Sequence, residues 1–186
     1  MIFMGATGNP LRRARFYGMF IGLISDTHGT FTEEFREFLE PVEQLWHAGD
    51  FGGGTEFAKQ IADFKPLVGV YGNCDGQDIR TDYPGHQYFE CGGMKVLMTH
   101  IGGYPGHYDI RARALIERYR PDVFVCGHSH ILKVIYDKQY EMLTVNPGAE
   151  GFMGWQVFRT ALRFRIGEGK IYDMEVFKLP KDAVGR

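Results

Sequence analysis

The residues best equipped for chemistry fall into five short polar clusters: Asp26-Thr27-His28, Gly49-Asp50, Gly72-Asn73-Cys74-Asp75, Thr99-His100 and Gly127-His128-Ser129-His130. Together they offer carboxylates, imidazoles and an amide carbonyl. That mixture suits borderline or hard divalent ions such as manganese, iron, zinc or nickel. Asp26 and His28 lie two apart, so at an extended strand end they could grip one ion together. His128 and His130 share that spacing, and each could serve a different ion. The glycines let the backbone turn sharply and approach an ion with no Cβ in the way.

Each cluster follows an apolar run, which predicts the elements that position it. Strands are expected over 20–25, 44–48, 66–70, 95–99 and 122–126. Helices are expected over 32–40 and 55–63, each with a threonine cap, and over 109–119, stopped by Pro121. The β-α-β-α-β rhythm of the first half calls for a parallel sheet covered by helices. The second half adds strands over 131–136 and 141–145, then a hairpin of 161–166 with 170–178 across Gly167-Glu168-Gly169. The expected fold class is α/β: two packed β-sheets flanked by helices, an αββα sandwich. Open α/β sheets bind ligands beyond the carboxyl ends of their strands, so five strand ends would aim these groups at one crevice.

The 186 residues, 44% of them hydrophobic, suffice for one sizeable domain, and the net charge of −2 exerts no pull on nucleic acid or anionic membrane. No apolar run reaches the ~20 residues of a membrane span. Cys74, Cys91 and Cys126 are too few and too widely spaced for a disulfide framework or a Cys-x-x-Cys zinc site, which fits reduced thiols in the cytoplasm. Residues 1–18 read as an N-terminal extension, since Met19 would be a natural start. Residues 19–180 read as a single domain and 181–186 as a tail. Aromatics make up 15% of the chain; any surplus over the core could cover a homo-oligomer face.

The five clusters, in this order from residue 20 to about residue 149, resemble the calcineurin-like metallophosphoesterases. The branch most similar is that of the small YfcE-type phosphodiesterases, themselves related to the retromer subunit VPS29. The resemblance implies two divalent ions, with manganese favoured. One would take Asp26, His28, Asp50 and His130. The other would take Asp50, Asn73, His100 and His128, with Asp50 shared. It further implies a bridging water that attacks phosphorus in line. Asp75 would orient a ligand or the Cys74 region, and the catalytic set would be Asp50, Asn73, Cys74 and Asp75.

Departures from the family pattern shape the expected substrate. Many members carry histidine where this chain has Cys74. The Cys-bearing branch points to diesters over monoesters. Phe51-Gly52-Gly53 replaces the arginine-bearing motif of protein phosphatases, which counts against phosphoprotein substrates. Asn146-Pro147-Gly148-Ala149 matches a late family motif, but Glu150 to Trp155 replaces its serine-rich, arginine-ended continuation. The expected function is a phosphodiesterase acting on a small or nucleotide-like phosphorylated substrate. The alternatives are a phosphomonoesterase with the same centre and a non-catalytic VPS29-like scaffold for protein partners. Among the remaining residues, His47 reads as a hydrogen-bonded core histidine and His86 as turn surface. Tyr104 and His107 read as part of a flexible loop, with substrate contact as their other reading. Cys91 and Cys126 read as small apolar fillers.

Overall fold

The computed structural model describes residues 18–182. The expected extension over 1–18 therefore lies almost wholly outside the described residues, as does most of the tail. Chain order gives β1 (Met19–Ile24), α1 (Glu33–Leu39), β2 (Gln44–His47), α2 (Gly54–Phe64), β3 (Leu67–Gly69), α3 (Gln77–Asp82), β4 (His86–Cys91) and β5 (Met94–Thr99). Then come β6 (Gly103–Tyr104), β7 (His107–Tyr108), α4 (Ile110–Tyr119), β8 (Val123–Val125), β9 (Leu132–Asp137), β10 (Met142–Pro147), β11 (Phe158–Gly167) and β12 (Lys170–Pro180).

Two five-stranded sheets are built from these, in the orders β12-β11-β1-β2-β3 and β4-β5-β8-β10-β9. Period-two alternation explains how they stack. In β1, Ile21 and Leu23 enter a core shared with Val96, Met98, Val123, Val125 and Val145 of the other sheet. Phe20 and Ile24 face the opposite way, into a second core with Phe35 and Leu39 of α1 and Phe57 and Ile61 of α2. Leu97 and Phe124 face outward from the second sheet onto Ala112 and Ile116 of α4. The result is the αββα sandwich, with one core between the sheets and one under each helical layer. No helix among the described residues is long and apolar enough to cross a membrane.

Strands β1, β2 and β3 run parallel in one sheet, and β5, β8 and β10 run parallel in the other. Six carboxyl ends, not five, therefore reach one edge of the sandwich. The sixth belongs to β10 and leads into 148–157.

The structure corrects several local expectations. Thr55 does not cap α2: Gly53, in the left-handed region at φ 67°, holds the N-cap position. Thr32 sits at the N-cap of α1 without a side-chain cap bond; its Oγ1 accepts from Arg159 instead. His86 is not turn surface but the first residue of β4, paired with Thr99. Tyr104 and His107 pair with each other in the β6–β7 ribbon rather than lying in an irregular loop. Helix α3 and strand β4 had no sequence expectation.

Candidate metal centre

The seven candidate ligands lie at the parallel strand ends, where Asp26, His28, Asp50, His100 and His130 bring ligand atoms together and Asn73 touches His100; the backbone is bent to place most of them. Among the described residues, nine non-glycine positions have positive φ, and five of them are candidate ligands: Asp26 (52°), His28 (47°), Asp50 (57°), His128 (66°) and His130 (58°). L-residues enter the left-handed region at a cost, and such strain persists where the surroundings over-determine it, commonly at functional sites. Two glycines clear the space. A Cβ on Gly72 would collide with Oδ1 of Asp50, and one on Gly49 (φ 94°) would lie 2.6 Å from Nδ1 of His100.

Asp26 and Asp50 are almost completely buried, at 0% and 2% exposure. Each ties down one carboxylate oxygen and leaves the other facing the cluster. Oδ2 of Asp26 accepts from Ser25 Oγ at 2.6 Å and from the His128 amide at 3.0 Å. Its Oδ1 has no hydrogen-bond partner and lies 3.2 Å from His130 Nε2 and 3.9 Å from His100 Nε2. Oδ1 of Asp50 accepts from the Cys74 amide at 2.8 Å. Its Oδ2 lies 3.3 Å from His100 Nε2 and 4.0 Å from His28 Nε2. His28 Nε2 is itself buried without a partner.

The histidines are oriented from behind. Nδ1 of His100 faces the Ala48 carbonyl at 2.7 Å. A carbonyl only accepts, so that nitrogen carries the proton and Nε2 turns its lone pair inward. The same nitrogen faces Asn73 Oδ1 at 3.1 Å, and the Asn73 amide is fixed by donating to Cys74 Sγ at 3.3 Å. Nδ1 of His130 likewise faces the carbonyl of Met153 at 3.0 Å and Oε1 of Gln156 at 3.2 Å. A histidine anchored through one nitrogen with the other presented inward is the usual arrangement of a metal ligand.

The centre is thus a knot of acceptors: two buried carboxylates, an amide oxygen and imidazole lone pairs. Left to protons alone, it strains to compensate. Burial opposes a charged His100, but its hydrogen bond to Asp50 and the charges of Asp26 and Asp50 prevail, and its pKa is raised. His130 is raised first by hydrogen bonding to Asp26. A divalent ion satisfies the same oxygens and nitrogens at once. Asp26, His28 and His130 form one group with ligand atoms within 4.8 Å of one another, and Asp26, Asp50 and His100 form another. The residues present therefore fit metal ions.

His128 is the outlier. Its side chain is exposed, and it meets the cluster through a ring contact with His100, with centroids 5.3 Å apart. Cys74 lies closer than its role required: its sulfur groups with His28 and Asp50. Burial and the neighbouring Asp50 push that thiol up to about 11, so it stays protonated.

A supporting shell surrounds the ligands. Asp75 accepts from the Asp50 and Gly72 amides through Oδ2, at 3.0 and 2.7 Å, and from the Gly52 amide through Oδ1 at 3.2 Å. It positions the backbone that carries Asp50. Arg80 donates to the carbonyls of Asp75 at 2.9 Å and Asn73 at 3.3 Å, bracing the Asn73–Cys74 turn. Asn146 donates to the Gly127 carbonyl at 2.7 Å and to Ser129 Oγ at 3.1 Å, fixing the turn that bears His128 and His130. His47 is a core histidine: Nδ1 accepts from the Gly49 amide at 3.1 Å, Nε2 faces Thr27 Oγ1 at 2.9 Å, and the ring stacks on Phe51 at 3.7 Å. Cys91 and Cys126 are buried.

Sequence reasoning marked the segment after β10 but assigned it no contacts with the site. The Gly151 amide donates to the Asp26 carbonyl at 3.0 Å and the Glu150 amide to the Ser25 carbonyl at 3.0 Å. Gln156 Nε2 donates to the carbonyls of Gly151 at 3.1 Å and Met153 at 2.5 Å. Arg159 fastens the whole by donating to the Glu150 carbonyl at 2.5 Å, with its guanidinium over the rings of Phe152 (4.0 Å) and Phe35 (4.7 Å). The available signal was topological: a strand parallel to β8 must also end at the crevice. The 510 Å³ cavity lined by Ile116, Glu117, Arg120 and Tyr140 lies beside α4 and touches none of these residues.

The model of the calcineurin-like phosphoesterase superfamily domain matches residues 19–169. No curated protein sequence matches the chain. Solved structures align over most of its length. A single mutant of Vps29 from Entamoeba histolytica is 15% identical, covers 87% of this chain and 99% of its own, and superposes with a TM-score of 0.69. An archaeal phosphodiesterase is 23% identical, with coverages of 86% and 100% and a TM-score of 0.64. A predicted phosphoesterase from Streptococcus pneumoniae is 21% identical, with coverages of 88% and 90% and a TM-score of 0.58. At these identities the likeness shows a shared fold.

Proposed function

Because this chain belongs to the calcineurin-like phosphoesterase superfamily, we propose that it is a two-metal phosphodiesterase acting on a small or nucleotide-like substrate. Asp26, His28, Asp50 and His130 would hold one divalent ion. Asp50, Asn73, His100 and His128 would hold the other, with manganese the favoured metal. When bound, such ions lower the pKa of water and neutralise phosphoryl charge. The observation that carries the reading is Asp50. Its Oδ1 is tied to the Cys74 amide, while Oδ2 stands between the inward nitrogens of His100 at 3.3 Å and His28 at 4.0 Å. One carboxylate oxygen thus serves both halves of the cluster.

The chain's own groups favour a diester. Hydrolysis forms a bond from water oxygen to phosphorus, breaks one ester P–O bond, and returns a proton to the departing oxygen. Cys74 reaches the cluster as a neutral thiol, a weak donor towards that oxygen. A diester carries one less negative charge than a monoester and asks less of extra cationic groups, which a neutral thiol does not supply. The three unpaired cysteines support a reducing, cytoplasmic setting. The acidic balance of the chain argues for a small phosphorylated substrate over nucleic acid or membrane, and assembly into a homo-oligomer remains part of the proposal.

The test is turnover of bis(p-nitrophenyl) phosphate and of p-nitrophenyl phosphate by the purified protein with manganese. A higher kcat/KM on the diester is expected. A preference for the monoester would favour the phosphomonoesterase. Failure to turn over either ester with manganese, iron, zinc or nickel would favour a non-catalytic scaffold.

A further inference from the structure

Trp155 is fully exposed, at 102% of its reference surface. An indole left in water forgoes the stabilisation that comes from burying roughly 150–250 Å² of side chain. The segment that holds it there is not loose. On one side, Gly154 sits so close to His130 that a Cβ would collide with the ring, and its carbonyl accepts from Lys181 Nζ at 2.6 Å. On the other side, Gln156 contacts His130 Nδ1 at 3.2 Å and closes the turn onto Gly151 and Met153. One chain neighbour of Trp155 thus contacts a candidate metal ligand, and the other is packed beside it and held by Lys181. The Lys181 amide adds a bond to the Val157 carbonyl at 2.9 Å.

A rigid loop that presents an unpartnered aromatic face one residue from a ligand contact has a specific use. We infer that Trp155 is a specificity-determining residue: a platform on which the aromatic group, a nucleobase, of a nucleotide-type diester stacks while its phosphate occupies the centre. The inference rests on the phosphodiesterase reading and deepens it. Stacking on an indole is available to every base, because each has a π face, so it selects for a nucleoside without choosing its sequence. The local charge agrees. Lys181 lies against Gly154, and Lys178 Nζ stands 3.7 Å over the neighbouring Phe158 ring. Cations and aromatic surface therefore lie close to Trp155 in the chain and fold, as a substrate joining an anion to a base requires.

The test compares two diesters with one leaving group: thymidine 5′-(p-nitrophenyl phosphate) and methyl p-nitrophenyl phosphate. Wild-type turnover of the methyl ester with manganese tests the phosphodiesterase reading by itself. The stacking inference is tested by the ratio of the two kcat/KM values. Trp155→Ala should lower the thymidine-to-methyl ratio by roughly 5- to 150-fold, the loss typical of one stacked base, and Trp155→Phe should restore most of it. An unchanged ratio overturns the inference, including the case where both rates fall together through structural damage. A second readout needs no turnover. Trp46 is buried, so exposed-indole emission reports Trp155. Thymidine 5′-monophosphate with manganese should quench it, methyl phosphate should not, and Trp155→Phe should abolish the response. Equal quenching by both ligands, or none, contradicts a stacked base and leaves the indole to a protein partner.

Discussion

Nε2 of His100 and Oδ2 of Asp50 stand 3.3 Å apart while the opposite nitrogen of that ring is committed to the Ala48 carbonyl. In a neutral ring this sets a lone pair against a carboxylate, which is a repulsive pairing unless a proton or a cation lies between. The contact is between residues from different sheets, so the sandwich itself enforces it.

Removing the shared charge should disable the centre without unfolding the chain. Asp50→Asn keeps the oxygen that accepts from Cys74 but lowers the charge available to both ions. A loss of about 10²–10³-fold in kcat on a nitrophenyl diester is expected, corresponding to the several kcal/mol a metal clamp contributes. Circular dichroism should be unchanged. Retention of wild-type turnover would remove Asp50 from the centre.

Gln156 should act through His130. Its Oε1 and the Met153 carbonyl share the Nδ1 proton of that ring. Gln156→Ala should weaken manganese binding by roughly 10- to 100-fold, as loss of outer partners of metal-bound histidines does. Gln156→Glu retains the acceptor oxygen and should recover much of the affinity in calorimetry. Equal weakening by both variants would show that the residue merely supports the loop.

How much of this was readable beforehand depends on where the information lies. The seven candidate ligands announce themselves by type and by position after apolar runs, and five of them, Asp26, His28, Asp50, His100 and His130, fall into groups with ligand atoms close together. Their geometry did not follow, because nothing in an aspartate or histidine marks it for a left-handed backbone; that conformation is imposed by the bonds of Asp75, Asn146 and Ser25. The Met153 carbonyl that orients His130 has no side-chain signature at all. Strand β4 was hidden for a different reason. Its inward positions are Gln87, Phe89 and Cys91, and Gln87 is tolerated there because its amide donates to the Gly69 carbonyl at 2.6 Å. A polar residue at an inward position breaks the hydrophobic alternation on which strand recognition relies. Helix α3, six residues with only Ile79 buried, offers too little periodicity to be read.

His47 makes acid stability predictable in sign. Burial, then the nearby His100, pushes its pKa down to about 3, so the folded ring is neutral. The unfolded chain takes up that proton near pH 6.5, and between about 6.5 and 3 it binds more protons than the folded state. Stability is therefore complete above that window and falls as pH drops through it, by up to about 1.4 kcal/mol per pH unit from this group. Chemical denaturation of the metal-free protein should show a shallower slope between pH 6.5 and 4 for His47→Gln. Identical slopes would place the acid sensitivity elsewhere.

Cys74 should tune substrate choice. Its backbone amide anchors Asp50, a bond that Cys74→His leaves in place. Cys74→His should raise monoester turnover relative to diester turnover, because an imidazole, unlike this thiol, can carry positive charge beside the more negative monoester. A constant ratio across p-nitrophenyl phosphate and its diester would sever Cys74 from the reaction.

One cluster of acceptors, joined through Asp50, is expected to bind two divalent ions. Calorimetric titration of the chelator-treated protein with manganese measures this directly. Two ions per chain, falling in Asp50→Asn, is the predicted result. A folded protein that binds no manganese, or whose binding is indifferent to Asp50, would contradict it.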